Sequence, residues 1–316
     1  MSKGRMLVTG GAGFIGSHVI EAAAADGWEV AALDDLSTGK RTNLPAGIAL
    51  YEVDVRNADA VSRAVREFRP TVISHQAAQA SVSVSVREPL LDAEVNIMGG
   101  LNVLMAARTH EVQRIVFAST GGAIYGEVPS RAANEQTPAR PYSPYATSKL
   151  SFEHYLETFR QQYGLESSIL RYANVYGPLQ NPHVEAGVVA IFTDRLLAGQ
   201  AVTVNAMRAT GDEGCLRDYV FVADVARANI AAANGLTPPL LNVGTGIGTT
   251  TQELVRQLAA TLGMNADVQF APPRSGDLER SVLDPNRFIT ALGRPLSLEE
   301  GLQQTAGWAR DQHEGQ

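Results

Sequence analysis

Along the first half of the chain, short apolar runs alternate with longer stretches in which apolar residues recur every three or four positions. Met6–Val8 is the first such run, and Ile15 to Asp26 the first helical stretch, alanine-rich and closed by Gly27. Glu29–Leu33 predicts a second strand, Tyr51–Val53 a third, Thr71–Ser74 a fourth and Arg114–Ala118 a fifth. Between them, Asn57 to Phe68 reads as a helix stopped by Pro70, and a long helix follows Pro89. Strands of this length alternating with helices indicate βαβ units, right-handed crossovers and a doubly wound parallel sheet of the α/β class.

The first turn of this pattern has its own chemistry. Gly11-Ala12-Gly13-Phe14-Ile15-Gly16 satisfies G-x-G-x-x-G, and Gly10, Gly13 and Gly16 satisfy a wider spacing. Glycine permits the tight turn and lets backbone approach a pyrophosphate, while the helix from Phe14 offers free N–H groups and a positive dipole end. Such a turn also occurs without a ligand. Here it follows a strand, opens a helix, and is followed 18 residues after Gly16 by Asp34 at a strand end. That context marks a Rossmann-type dinucleotide site contacted by Gly10, Gly13, Phe14, Ile15 and Gly16. Asp34, Asp35 and Leu36 select the cofactor: a carboxylate accepts from ribose hydroxyls and repels a 2′-phosphate, so the expected cofactor is NAD. Lys40 and Arg41 stand further into the next loop. Ligands lie outside the carboxyl ends of such strands, which adds Asp54, Val55, Gln76, Ala77 and Ala78 to the expected cofactor contacts.

Lysine is scarce: 3 lysines stand against 23 arginines, yet Tyr145 is followed four residues later by Lys149. Pro144 suits a first helical turn, and Leu150, His154, Leu156 and Phe159 continue a helical period. Tyr145 and Lys149 then share one face, one turn apart. A phenol with a pKa of about 10 becomes a base near neutral pH when an ammonium stabilises its anion. The hydroxyls of Ser119 and Thr120, directly after the fifth strand, are candidates to hold the oxygen being deprotonated. A surface tyrosine resting on a lysine stem is the plainer alternative.

Composition narrows the class. With 45% hydrophobic and 19% charged residues the chain is ordinary globular protein. A net charge of −7 argues against a nucleic-acid partner. No apolar run in the sequence suggests a membrane span, and the N-terminus passes straight into a strand pattern, with no leader expected. One cysteine, Cys215, fits a reducing cytoplasm. No Cys/His cluster is present, so no metal is expected.

These residues resemble those of the extended short-chain dehydrogenase/reductases, most closely the nucleotide-sugar epimerases that act at C4 of UDP-glucose and UDP-galactose. The resemblance is carried by Thr9–Gly16, Leu33–Leu36, His75–Ala78, Arg87-Glu88-Pro89, Tyr145–Lys149, Leu170–Asn174, Arg217-Asp218-Tyr219, Asn242–Gly246 and Pro273–Asp277. It implies Tyr145 as base, Lys149 and a strand-end hydroxyl as its partners, and Tyr172 beside the cofactor. It also implies a smaller C-terminal α/β domain for the nucleotide sugar over 176–316. Residues 1–175 would bind NAD, with 219–234 returning to them. Asn174, Val188, Val189, Arg217, Arg274, Asp277 and Ser281 would meet the substrate. Guanidinium forks match phosphate oxygens, although Arg217 beside Asp218 also suits a structural ion pair. By resemblance to the family's four-helix interface, the helix after Pro89 and the Tyr145 helix imply a homodimer.

Three positions depart from the family pattern. Four residues separate Thr120 from Tyr125, where three are usual, so either Thr120, the favoured one, or Ser119 is the catalytic hydroxyl. Ala80 replaces a lysine found in some relatives. Ser281 stands where hexose-restricted epimerases carry a bulky tyrosine, which implies that N-acetylated sugars enter. Gly121 and Gly122 lack the acids of the related dehydratases and decarboxylases. Epimerisation of UDP-glucuronate, or another dehydratase or reductase reaction on a nucleotide sugar, is the neighbouring alternative. A catalytically silent NAD-sensing protein is the alternative of another class.

Overall fold

The structure is a computed structural model and describes residues 3–128, 131–183, 187–273 and 278–314. Its chain divides into two compact units, one of 1–120, 141–171 and 225–241, the other of 121–140, 172–224 and 242–316. The first opens with β1 (Arg5–Thr9), α1 (Phe14–Ala25), β2 (Glu29–Asp34), β3 (Ala49–Glu52), α2 (Ala58–Phe68) and β4 (Val72–His75). A helical stretch follows: α3 (Val82–Arg87), α4 (Pro89–Ala93), a π-helical segment (Glu94–Gly99) and α5 (Gly100–Thr109). Then come β5 (Arg114–Thr120), the short α6 (Gly121–Ile124), α7 (Pro144–Tyr163) and β6 (Glu166–Tyr172).

Apolar runs become central strands because both faces of the sheet are covered, so every side chain from Met6 to Val8 and from Ala31 to Leu33 is buried. β1 pairs in parallel with β2 and β4, β2 with β3, and β4 with β5. The seven-stranded order is β10-β6-β5-β4-β1-β2-β3, with β10 at Leu240–Val243. The order reverses around β1, which places the glycine turn at the switch point of the sheet. Val61, Val65 and Phe68 from α2, Val103 and Leu104 from α5 and Phe152 and Leu156 from α7 fill one core with the strands.

Local chemistry fixes the helix ends. Asn57 accepts the Ala60 N–H and starts α2, and Ser143 accepts the Ala146 N–H and starts α7, with Pro144 in the first turn. Gly164, at φ 70°, closes α7. One sequence expectation needs correction. The helical stretch Pro89–Thr109 is 21 residues long and apolar enough to cross a membrane by length and composition. Asp92, Glu94, Asn96 and Asn102 interrupt the apolar run while leaving the average hydropathy high. Asp92 and Asn96 on it are buried, and 44% of its most apolar window is packed inside the protein.

The second unit contains β7 (Asn174–Tyr176), α8 (Val188–Leu197), β8 (Val202–Asn205) and β9 (Leu216–Phe221). After α9 (Val222–Ala233) and β10 come β11 (Gly248–Thr250), α10 (Thr251–Leu262), β12 (Val268–Ala271), β13 (Arg280–Ser281), α11 (Asn286–Leu292) and α12 (Leu298–Glu314). β9 joins β7, β11 and β13, so the strand at 216–221 counts with this unit, whereas α9 from Val225 onward counts with the first. Tyr176, Phe192, Tyr219, Phe221, Leu254 and Leu258 build its separate core.

Candidate active site

The glycine turn is shaped by two different demands. Gly10 has φ 66°, and a Cβ there would come within 2.6 Å of the Ala77 nitrogen; a Cβ on Gly16 would overlap the Gly10 carbonyl. These two glycines are required by the protein's own packing. A Cβ on Gly13 would meet only the Gly10 oxygen, at 3.3 Å. Its open side, before a helix start that no side chain caps, fits the close approach of a pyrophosphate. Asp34 is buried at the end of β2 and accepts the Ala12 and Leu36 N–H groups, one on each oxygen at 2.9 Å. Each oxygen keeps a lone pair for a ribose hydroxyl. Burial pushes this carboxyl up, against the lowering effect of those N–H donors. The residues present therefore fit NAD.

The remaining cofactor candidates divide. Phe14 is buried with its ring edge-on to His18, while Ile15 is partly exposed. Asp35 turns its carboxylate to the N–H and hydroxyl of Ser37, and Leu36 adopts φ 58°. Asp54 forms a two-pronged pair with Arg56, and the Val55 side chain lies in the core. Gln76 donates to Ser74 and Asn229, the Ala77 N–H to Thr9 Oγ1, and Ala78 is partly exposed in the same loop. Tyr172 ends β6 and is buried.

Tyr145 and Lys149 do meet. The Lys149 Nζ lies 5.9 Å from the centre of the Tyr145 ring and 4.9 Å over Phe117, and donates to the Ala118 carbonyl at 3.0 Å. Burial pushes this ammonium down to about 8, and Asp92 and Glu153 pull it back up. It therefore stays charged at neutral pH, the condition for stabilising a phenolate. Ser119 and Thr120, adjacent in β5, point to opposite faces. The Ser119 hydroxyl donates to Glu153 at 2.5 Å, and Glu153 is also bonded by the Arg171 guanidinium. Thr120 ends the strand and lies 9% exposed.

The candidates in the second unit have their own frame. Asn174 donates to the Asp218 carbonyl. Arg217 and Asp218 do not form the ion pair that their adjacency suggested. Neighbours in a strand face opposite ways, and the fully buried Asp218 carboxylate accepts from Thr245, Gly246 and Leu283 instead. Arg217 Nη1 donates to the Leu216 carbonyl. Val189 packs into the core of this unit and Val188 against it. Ser281 is buried and donates to the Gly122 carbonyl at 2.9 Å. Arg274 and Asp277 lie outside the described residues. Asp92, Asn96 and Glu153 had no place among the sequence candidates, and Arg171 stood there only within the stretch Leu170–Asn174, with no role. Only Glu153 left a signal, four residues beyond Lys149 on the same helix face.

A Rossmann-type sheet with this turn, an acid at the end of β2 and a Tyr–Lys pair on α7 defines a dinucleotide-dependent enzyme of the extended short-chain dehydrogenase/reductase class. The profile of the NAD dependent epimerase/dehydratase family matches residues 6–244, and the chain belongs to that family. It is similar to the UDP-glucose 4-epimerase of Thermus thermophilus, solved in complex with NAD: 56% identity, TM-score 0.93, covering 97% of this chain and 99% of that one. The Thermotoga maritima UDP-glucose 4-epimerase, solved with UDP-glucose, is 44% identical with a TM-score of 0.91, covering 98% and 99%. The UDP-glucose 4-epimerase of Mycolicibacterium smegmatis is 43% identical over 315 residues, 97% of this chain and 99% of that protein.

Proposed function

We propose that this chain is an NAD-dependent 4-epimerase of UDP-hexoses, interconverting UDP-glucose and UDP-galactose through a transient 4-keto sugar. The observation that carries the reading is the buried Lys149 Nζ 5.9 Å from the centre of the Tyr145 ring. Bound NAD would supply the acceptor and later the donor of the hydride at sugar C4. Gly13 would leave backbone room for its pyrophosphate, with Gly10 and Gly16 holding the shape of the turn and Asp34 on its ribose.

Tyr145, as phenolate, takes the proton of the C4 hydroxyl and, after the sugar has turned and hydride has returned to the opposite face of C4, gives a proton back to the C4 oxygen. Lys149 holds the charge that makes this base available near neutral pH. Thr120 is the hydroxyl that steadies the C4 oxygen, because Ser119 is committed to Glu153. Asn174, Arg217, Arg274 and Asp277 hold the UDP while the keto sugar turns. The first unit, 1–120, 141–171 and 225–241, would serve NAD, and the second the nucleotide sugar. The small Ser281 supports entry of N-acetylated sugars as well. The enzyme works as a cytoplasmic homodimer, supported by its single cysteine and by exposed Leu90, Met98 and Met105 on one helical stretch.

The test is incubation with UDP-galactose, UDP-GalNAc and UDP-glucuronate separately, following the C4-inverted product by chromatography. The first two convert. Tyr145→Phe lowers kcat by about 10²–10⁴ while NAD stays bound. Undiminished turnover by that variant contradicts the mechanism, and conversion of UDP-glucuronate alone replaces the substrate.

A further inference from the structure

The ammonium of Lys149 is nearly sealed from water, 3% exposed, and its hydrogen-bond partner is a neutral carbonyl. A buried charge without compensation is costly, so a counter-charge has to come from elsewhere in the core. The charged and titratable groups packed around it come from several elements. On α7 these are Tyr145 and Glu153, on β4 His75, on α4 Asp92, and on β6 Arg171, which reaches Glu153. The charge of Glu153 is matched by the Arg171 guanidinium in a buried pair. His75 is held neutral. Asp92 is different. Its carboxylate is fully buried, and its three donors are all uncharged: Ser148 Oγ at 2.6 Å, Asn96 Nδ2 at 2.9 Å and Gln79 Nε2 at 2.9 Å. Among the described residues, a carboxylate bonded by neutral donors alone and an ammonium bonded to a carbonyl alone are thus both buried, and Asp92 is the leading charge favouring protonated Lys149.

We propose that Asp92 is a positioning residue of this site: through Ser148 it fixes the helical turn bearing Lys149, through Gln79 and Asn96 it anchors the loop after β4, and its charge keeps Lys149 an ammonium. The inference rests on the reading of Tyr145 and Lys149 as the base and its cation. Asparagine can keep the local bonding, its oxygen accepting from Gln79 and Asn96 and its amide donating to Ser148, so Asp92→Asn removes charge and little else.

The scarcity of lysine makes the test direct. In full-length protein loaded with NAD and labelled at lysine with ¹³C and ¹⁵N, Lys3, Lys40 and Lys149 give three signals, and only Lys149 is buried. In the unmodified protein Lys149 titrates at about 8, and the alkaline limb of kcat follows it. Asp92→Asn lowers that titration, and the limb with it, by about one pH unit or more. Ser148→Ala, which removes a bond and keeps the charge, leaves the titration in place. Asp92→Ser carries the same expectation as Asp92→Asn should the latter not fold. An unmoved Lys149 in either neutral variant, an equal shift in Ser148→Ala, or an ordinary lysine titration in the unmodified protein overturns the proposal. The titration is read without turnover, so it is independent of the substrate assignment.

Discussion

His75 shows how far burial, with a like charge nearby, can move one side chain. It is fully enclosed between Phe117 and Phe152, bonded at Nδ1 to the Thr9 hydroxyl at 2.7 Å, and pushed down to about 3 by desolvation and then by the Lys149 charge. The folded protein therefore holds it neutral while the unfolded chain, with an ordinary pKa of about 6.5, protonates it. Between pH 6.5 and about 3 the unfolded state binds more protons, so stability falls as pH drops through that window. His75→Asn removes the titration. Urea denaturation should show the unmodified protein losing about 2 kcal/mol more than the variant between pH 6.5 and pH 5. Equal losses would assign acid sensitivity to other groups. The same burial argument separates Ser119 from Thr120: identical chemistry one residue apart, but only Ser119 is tied to Glu153.

At the scale of elements, α7 is held in place by shape as much as by hydrogen bonds. Phe152 sits edge-on to Phe117 with ring centres 4.7 Å apart, and a Cβ on Gly100 of α5 would overlap its ring. Gly100 follows the π-helical segment Glu94–Gly99, a departure from α geometry of the kind often found at functional sites; Asn96 on it binds Asp92. Gly100→Ala should cost about 1–3 kcal/mol through overpacking. Combining it with Phe152→Leu should cost less than the two single losses summed, because the smaller side chain yields the space. Simple additivity in denaturant titrations would mean that the two residues do not press on each other.

On the scale of the whole molecule, an uncovered apolar surface is a statement about assembly. Val86, Leu90, Met98, Met105 and Tyr142 are all exposed on the first unit, and Leu90, Met98 and Met105 share the helical stretch Pro89–Thr109. A homodimer through this face is expected to sediment at twice the chain mass. Leu90→Asp should shift that equilibrium toward monomer, whereas an unmodified protein that sediments as monomer at micromolar concentration removes the dimer from the proposal.

Strand and helix order in the first half, the glycine turn, Asp34 and the Tyr145–Lys149 pair were legible because each is local: period, spacing and turn chemistry are properties of neighbouring residues. Glycine has no Cβ, a strand alternates and a helix repeats whatever the rest of the chain does. The partners of Lys149 were not legible. Asp92 lies 57 positions away and Arg171 reaches it only through Glu153, so nothing in their spacing marks them. Nor does adjacency make an ion pair of Arg217 and Asp218, because the pleat sends neighbours to opposite faces. The sequence by itself determined which residues could do the chemistry. Tertiary structure alone decided which charges share a dry core, because electrostatic strength depends on exclusion of water, and water is excluded only when distant segments pack together.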